Sequence, residues 1–319
     1  MNAPSSFPAP SAAPTLAQAA ALAAGGQQYP AGSLYVVATP IGNLADFSLR
    51  AVHVLGLVDA VACEDTRVTG GLMRHLGLDK PLIPLHQHNE RGAAERVLAR
   101  LAAGERVAYV SDAGTPAVSD PGAVLVAQAR AAGHRVLPIP GASSVVAALS
   151  AAGQEAGDAA GAAGFHFAGF LPAKGPERLA ALDAALGQAC ACVLFEAPHR
   201  MGTLFEQLAG RAPAREVTVC RELTKQFEQI ETLRAAGLPA WLAADPVRAK
   251  GEFVLVLHAA VTASGAGAED GVDDAAQRTL GVLLRELPLK QAVALAAEIS
   301  GAPRNALYAR ALASKQTGG

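Results

Sequence analysis

The residues best suited to bind a ligand lie in three short loops, each directly after a predicted strand. The loops cover residues 39–44, 111–116 and 140–144, and residues 119–122 follow the second loop closely. Each loop contains a glycine, which lets a ligand approach the backbone, and at least one hydroxyl side chain, but no lysine. In open parallel sheets, ligands bind beyond the carboxyl ends of the strands. The loops therefore predict a site for a ligand without phosphates, such as an adenosyl amino acid.

Three aspartates near these loops could either bind a ligand or cap a helix. Asp120 precedes a proline, and Asp65 precedes a helix predicted from residue 66, so an N-cap role would explain both side chains. Asp112 ends a predicted buried strand and is followed by a turn at 113–116 rather than by a helix. The sequence therefore favours a functional role for Asp112 and leaves both roles open for Asp65.

Alternating strands and helices must position these loops. Short apolar runs rich in β-branched residues predict strands, which alternate in the first half with runs of helical spacing, as in a parallel sheet covered on both faces. In the second half, several strands follow one another without long helices, which favours an antiparallel or mixed sheet. The predicted strands are 33–39, 58–63, 82–85, 106–110, 135–139, 165–170, 190–195, 216–220, 230–233 and 253–257. The helices predicted in the first half are 49–57, 66–76, 93–103, 121–132 and 143–151.

Two low-complexity segments, 153–164 and 261–274, predict linkers between domains. The first 31 residues contain no lysine or arginine and match neither a signal peptide nor a transit peptide. We interpret them as a disordered tail outside the fold, in which the alanine run 17–24 could form a helical stub. The predicted organisation is a tail at 1–31, α/β domains at 32–152 and 165–260, and a helical segment at 275–319.

Composition limits the function classes. The chain has 319 residues, of which 51% are hydrophobic, and its net charge is −2, without the basic excess of a global nucleic-acid binder. Its four cysteines form no CxxC pair, so we expect no metal site and a cytoplasmic location. No apolar run reaches the roughly 18 residues of a membrane helix. Walker, HExxH and GxSxG motifs are missing, as is GxGxxG after the first strand.

Several motifs in a fixed order resemble the tetrapyrrole methylase superfamily. They are TPIGNLAD from residue 39, EDTR from 64, SDAGTPAVSDPG from 111 and PGAS from 140, followed by GFLPAK from 169, FEAPHR from 195, RELTK from 221 and KGEFVLV from 250. The resemblance covers residues 33–315. Within the superfamily it is to the enzymes that methylate the ribose 2′-hydroxyl of a cytidine in 16S ribosomal RNA of the small subunit.

The resemblance implies a fold and a cofactor. The fold would be two α/β domains with S-adenosylmethionine in the cleft between them, and the protein would be a homodimer. In the first domain, the cofactor-binding residues would be Pro40, Ile41, Gly42, Asp112, Ala113, Gly114, Thr115, Ser143 and Ser144. In the second domain, Phe170, Leu171, Glu196 and Gly251 would close the site.

A base near the ribose hydroxyl would assist the transfer by about 10²–10⁴-fold. The candidates are Asp65, Glu222 and, if burial lowered its pKa, Lys225. Glu222 and Lys225 could equally form a surface ion pair.

RNA needs cations near the cleft. The candidate contacts are Arg67, Lys174, Arg178, Arg200 and Arg221. Residues 278–315 add six basic side chains against two acidic ones and predict an RNA-docking segment. Two alternatives stay open: a methylase acting on a tetrapyrrole, and a ribosome-assembly binding module without catalysis.

Overall fold

The structure is a computed structural model that describes residues 15–86, 89–119, 121–153, 164–259, 272 and 274–316. The chain forms two compact units. One comprises 1–153, 167–182 and 193–257, and the other comprises 154–166, 183–192 and 258–319. The first unit contains most of two five-stranded sheets, and the second contains three C-terminal helices. The predicted α/β class with a helical C-terminal segment is confirmed.

The first sheet is parallel throughout, and its order is β3-β2-β4-β1-β5. This order places β2, β4, β1 and β5 side by side, so the loops that follow them emerge next to each other at one edge. Its strands are β1 (Ser33–Val37), β2 (Ala60–Cys63), β3 (Leu82–Pro84), β4 (Val107–Val110) and β5 (Arg135–Ile139).

Helices cover both faces of this sheet, which explains why β2 and β4 are buried at every position. One core cluster packs the sheet against the first three helices, and another packs it against α4 and α5. The helices are α1 (Leu16–Ala24), α2 (Leu49–Leu57), α3 (Thr66–His75), α4 (Glu90–Ala102), α5 (Ala123–Ala131) and α6 (Ser144–Ala151).

Helix α1 corrects the prediction that residues 1–31 form a disordered tail. Thr15 caps the helix in a reciprocal capping box with Gln18. Ala20 and Ala24 are buried, and Ala20 belongs to the core shared with α2 and α3. Part of the predicted tail therefore belongs to the helices α1, α2 and α3 that pack on the first sheet. The predicted tail residues before 15 lie outside the described residues.

The second sheet has the order β6-β7-β10-β8-β9, and both β10–β8 and β8–β9 are antiparallel, as the sequence predicted. The register pairs Phe253 with Arg221, so the residues after β8 lie beside those before β10. The strands are β6 (Phe165–Phe170), β7 (Ala191–Glu196), β8 (Glu216–Arg221), β9 (Gln229–Arg234) and β10 (Phe253–Leu257). The helices of this half are α7 (Gly175–Leu186), α8 (Met201–Arg211) and α9 (Leu238–Ala243).

The C-terminal helices are α10 (Asp274–Glu286), α11 (Leu289–Ser300) and α12 (Arg304–Gln316). They pack around a small apolar core that includes Leu280, Val293 and Leu307. Gly301 ends α11 in a left-handed conformation, which turns the chain toward α12. The predicted linkers fall mostly outside the described residues, and the predicted domain limits stay predictions.

Candidate functional site

The structure brings the three predicted loops together at one edge of the first sheet. The loops after β1 and β4 form a two-residue antiparallel bridge: the Thr39 N–H donates to the Gly114 carbonyl at 2.9 Å, and the Gly114 N–H donates back at 3.1 Å. The Thr115 hydroxyl donates to the Ala142 carbonyl after β5 at 3.0 Å. The three loops therefore form one connected surface, which we call the loop platform (residues 39–42, 112–115 and 141–144).

Glycines allow the close packing of this platform. Gly114 has a φ of +82°, and a Cβ there would lie 3.3 Å from the Ile41 side chain. A Cβ on Gly141 would lie 3.0 Å from the Ala38 Cβ. Pro40 and Ile41 are buried, so their side chains support the loop. Gly42, Asp112 and Ala113 are exposed, and their backbone is open to a ligand.

Asp112 connects the segment after β2 to the loop platform. One of its carboxylate oxygens accepts a hydrogen bond from the Asp65 N–H at 3.0 Å. The side chain is exposed and caps no helix that the structure describes. Asp120 lies outside the described residues, and the nearby helix α5 has Gly122 at its N-cap position. Ser143 occupies the N-cap position of α6 without a side-chain capping bond, and Ser144 begins that helix.

Asp65 is the N-cap of α3. Its carboxylate accepts from the Arg67 backbone N–H at 2.8 Å and forms an ion pair of 2.6 Å with the Arg67 guanidinium. These hydrogen bonds lower the pKa of Asp65 to about 2. A carboxylate with such a low pKa is a weak base, so the geometry favours the capping role over a catalytic one.

The loop after β8 carries a cluster of opposite charges. Lys225 Nζ lies 2.9 Å from Glu222 Oε1 and 3.2 Å from Glu252 Oε2. Glu222 Oε1 also accepts from the Glu252 N–H at 2.9 Å. The backbone here is strained, because Glu222 and Thr224 have φ values of 53° and 65°. We call residues 222, 225 and 252 the Glu–Lys–Glu cluster.

Both predicted bases of this cluster are held in their charged forms. Burial raises the pKa of Glu222, but the hydrogen bonds from Lys225 and the Glu252 N–H outweigh it and leave the pKa below its ordinary value. Burial lowers the pKa of Lys225, but the hydrogen bonds to Glu222 and Glu252 raise it above its ordinary value. The expectation that burial gives Lys225 a lowered pKa is therefore wrong, and at neutral pH this side chain is a cation.

The Glu–Lys–Glu cluster touches the loop platform. A Cβ on Gly42, whose φ is +149°, would lie 2.5 Å from Lys225 Cγ, so the lysine stem rests directly on the first loop. A Cβ on Gly251, whose φ is +99°, would lie 2.7 Å from Glu222 Oε1. The two glycines make room for the two charged side chains, and the second sheet thereby contributes to the same site as the first.

The other predicted site residues in the second half of the chain differ in how far their side chains are exposed. Glu196 is fully buried in ion pairs with Arg178 at 2.7 Å and Arg200 at 2.6 Å, which leaves little of it for a cofactor. Arg221 is 5% exposed and donates to the backbone carbonyls of Lys250 and Val247 at 2.7 and 2.9 Å. Arg178 and Arg221 thus have little surface to offer RNA, whereas Lys174 is exposed and Arg200 partly so.

The two predicted apolar site residues, Phe170 and Leu171, also differ in the exposure of their side chains. Phe170 is 57% exposed and packs its ring edge against Phe195, with the centroids 5.4 Å apart. Leu171 is 4% exposed and belongs to the interior. Phe170 can contact a ligand, and Leu171 supports the chain beneath it.

Comparison with known proteins adds to this geometry. The sequence profile of the tetrapyrrole (corrin/porphyrin) methylases matches residues 33–239, and that of the RsmI C-terminal HTH domain matches residues 270–315. The ribosomal RNA small subunit methyltransferase I of Pseudomonas aeruginosa is 46% identical over 88% of this chain and 97% of its own. The chain belongs to this family. The enzyme of the same name from Neisseria meningitidis serogroup B is 44% identical over 89% of this chain and 94% of its own.

Solved structures support the fold of this methyltransferase family. Diphthine synthase superposes with a TM-score of 0.55 at 17% identity, covering 71% of this chain and 90% of its own. Cobalt precorrin-4 methyltransferase superposes with a TM-score of 0.53 at 19% identity, covering 72% and 98%. The resemblance on which the sequence analysis relied is confirmed at the level of family and fold.

Two residues of the candidate site were not predicted from the sequence. Glu252 completes the Glu–Lys–Glu cluster, and its place in KGEF directly before a strand was the available signal. Thr224 has a buried hydroxyl oxygen without a hydrogen-bond partner in the described part of the chain. Its left-handed backbone could not be foreseen, because β-branched residues rarely adopt that conformation.

The described residues include neither a metal-binding cluster nor a membrane-spanning helix. No group of three or more His, Cys, Asp or Glu side chains there could hold a metal ion. None of the helices in that part of the chain is long and apolar enough to cross a membrane.

Proposed function

We propose that this chain transfers the methyl group of S-adenosylmethionine to the ribose 2′-hydroxyl of a cytidine in 16S ribosomal RNA. The observation that carries the proposal is the contact between Lys225 and Gly42, because it places the Glu–Lys–Glu cluster against the loop platform. The family supports the same reaction class, since its curated members are named as methyltransferases of small-subunit ribosomal RNA.

The loop platform fits the chemistry of S-adenosylmethionine. The cofactor carries no phosphate, and the platform offers backbone groups and hydroxyls without a lysine. S-adenosylmethionine also carries an ammonium group and ribose hydroxyls, which the exposed Asp112 carboxylate can bind. Ser143 leaves its hydroxyl unused as a helix cap, and the start of α6 favours a carboxylate. When bound, the cofactor supplies a methyl group already activated by its sulfonium.

The chain's own residues then have to align the hydroxyl and control its proton. Alignment of two reactants contributes about 7–11 kcal/mol to such transfers. The Lys225 ammonium can donate a hydrogen bond to the ribose oxygen, and the Glu222 carboxylate beside it can accept the proton. Because the pKa of Glu222 is lowered, it is a weak base, so alignment contributes more than proton abstraction.

RNA contacts in this proposal come from exposed cations. Arg67 is 89% exposed beside the platform, and Lys174 and Arg200 lie in the second half. In the C-terminal helices, Arg285, Lys290 and Arg304 are exposed, which agrees with a docking role. A tetrapyrrole substrate would not require these helices.

The test is incubation with radiolabelled S-adenosylmethionine and, separately, 30S subunits, free 16S ribosomal RNA and uroporphyrinogen. We expect label in RNA that resists base-catalysed hydrolysis at one cytidine, as a 2′-O-methyl group does. Label found only in the tetrapyrrole would contradict the substrate, and no transfer to any acceptor by a protein that binds the cofactor would favour a binding module.

We further propose that the enzyme acts in the small-subunit context and as a homodimer. Both follow from the resemblance to the family. The ratio of label in 30S subunits to label in free RNA tests the first. Light scattering coupled to size exclusion tests the second, and a mass near 32.3 kDa would contradict it.

A further inference from the structure

A basic pocket lies at the start of α7. Its volume is about 650 Å³, within the range of small-molecule sites. Pro176 and Leu179 form part of its wall, and the charged side chains around it are Lys174, Arg178 and Arg200. Glu177, in the first turn of α7, is exposed and does not line the pocket. We call this feature the α7 pocket.

A buried carboxylate organises the cations of the α7 pocket. Glu196 pairs with Arg178 through one oxygen and with Arg200 through the other, at 2.7 and 2.6 Å. Its side chain is 0% exposed, and it also accepts from the Ala197 N–H at 2.9 Å. One carboxylate against two guanidinium groups and the Lys174 ammonium leaves a net charge of about +2 at the pocket, by simple formal counting.

Arg178 and Arg200 differ in how many of their guanidinium N–H groups are free to bind a ligand. The Arg178 guanidinium is fixed by Gln207 and by the Pro172 carbonyl, both at 3.1 Å, in addition to Glu196. Arg200 is 21% exposed and is paired through Nε alone, so its two terminal nitrogens have no partner among the described residues. Lys174 likewise forms no ion pair within that part of the structure and is exposed.

An anion would complete this arrangement. Two terminal guanidinium nitrogens bind phosphate in a bidentate manner, and charge-assisted hydrogen bonds of this kind are the strong ones. A lysine beside them adds a mobile point charge, and the apolar wall can accept a ribose or base. The combination suits a nucleotide unit of an RNA chain better than a small carboxylate.

We propose that the α7 pocket binds a backbone phosphate of the RNA substrate through Lys174 and Arg200, and that Glu196 holds Arg200 in position for it. The identity of the RNA rests on the proposed function. The presence of an anion site rests on the pocket alone.

The experiment compares the wild type with Lys174→Met, Arg200→Met and the control Arg130→Met. Arg130 is an exposed cation in the last turn of α5, which leads to the start of β5 and so lies at the edge of the first sheet opposite the loop platform. We would measure KM and kcat for 30S subunits, the affinity for S-adenosylmethionine, and filter binding of 16S ribosomal RNA between 50 and 200 mM KCl.

For Lys174→Met and Arg200→Met we expect a KM for 30S subunits about five- to tenfold higher, with kcat within about twofold and cofactor affinity unchanged. The log–log salt slope of RNA binding should fall by roughly 0.7 for a lost contact to single-stranded RNA. Arg130→Met should behave as the wild type. If Arg200→Met does not fold, Lys174→Met decides alone, because its side chain is exposed.

Equal KM values and salt slopes for the pocket variants and Arg130→Met would overturn the proposal. Inorganic phosphate provides a second arm: inhibition that both pocket variants lose supports the anion site. If the variants lose that inhibition but keep the wild-type KM for 30S subunits, the pocket binds free phosphate and the RNA assignment is wrong. A wild type that binds RNA but methylates nothing would contradict the proposed function, and the salt slopes would still decide the pocket.

Discussion

Substitution of Gly251 by alanine tests the Glu–Lys–Glu cluster. Comparison with a second glycine of similar φ separates backbone strain from damage to the cluster. A Cβ at this position would lie 2.7 Å from Glu222 Oε1 and 2.8 Å from Glu222 Cδ and Cγ. The carboxylate must therefore move back by at least about half an ångström to reach ordinary contact distance. That oxygen accepts from Lys225 Nζ and from the Glu252 N–H, both at 2.9 Å, so both hydrogen bonds are disturbed together.

A matched control exists at Gly104. Its φ is +85°, close to the +99° of Gly251, but a Cβ there would have no neighbour within 4 Å. An alanine in the left-handed region costs about 1–2 kcal/mol, so Gly104→Ala should lose that much free energy of unfolding. Gly251→Ala should lose about 1 kcal/mol more, because a partly exposed ion pair contributes about that amount.

The activities should differ far more than the stabilities. A misplacement near 1 Å in a catalytic arrangement costs about 10²-fold in rate, so we expect kcat for Gly251→Ala to fall by roughly 10- to 100-fold. Gly104→Ala should keep the wild-type kcat. The assay is methyl transfer to 30S subunits at saturating cofactor, with urea unfolding of both variants. Equal kcat values for the two variants would refute the role of the Glu–Lys–Glu cluster.

Four further predictions concern single features. Asp112→Asn should weaken S-adenosylmethionine by about tenfold in calorimetry with little change in melting temperature, because it keeps an acceptor for the Asp65 N–H but removes the charge; unchanged affinity would remove Asp112 from the site. Asp65 has a pKa lowered to about 2, so its contribution to stability is present above about pH 4 and lost as the pH falls toward 2. Asp65→Asn should therefore unfold with a flatter pH dependence over that window, and a profile identical to wild type would contradict the cap. Deletion of residues 1–30 removes α1 and Tyr29, whose carbonyl accepts from Arg106 at 2.9 Å, so the melting temperature should fall by several degrees relative to deletion of residues 1–14. Deletion of residues 275–319 should weaken RNA binding and flatten its salt dependence while cofactor affinity stays within about twofold, and unchanged binding of 30S subunits would contradict the docking role.

The strands and the loop platform could be predicted because their signals are local. The run of apolar residues before Pro40 and the glycine in each loop lie within a few positions of each other. The predicted strand 165–170 agrees with β6, and 216–220 falls one residue short of β8. The order of the strands was not predicted, since β1 pairs with β4 and β5, about 70 and 100 residues farther along the chain.

The first helix was predicted only as a possible stub at 17–24 outside the fold, although a local signal for a capped helix existed. Thr15 and Gln18 have the spacing of a capping box, and the following alanines have high helix propensity. The absence of large apolar side chains made the segment resemble a tail. Alanine side chains are small enough to pack closely against neighbouring elements. Ala20 and Ala24 are buried here, and Ala20 belongs to the core shared with α2 and α3.

The charged residues of the motifs were harder to interpret, because burial is a property of the whole fold. Arg221 follows the predicted strand 216–220 and precedes the predicted base Glu222, and this position suggested a cation of the binding surface. In the structure its guanidinium reaches Lys250, Val247 and the Gln229 side chain, at 2.7, 2.9 and 3.3 Å. It therefore ties the segment before Gly251 to the loop that carries the Glu–Lys–Glu cluster. A planar guanidinium has donors for all three of these acceptors in a fixed geometry, whereas a lysine ammonium does not, so the arginine stabilises this part of the fold.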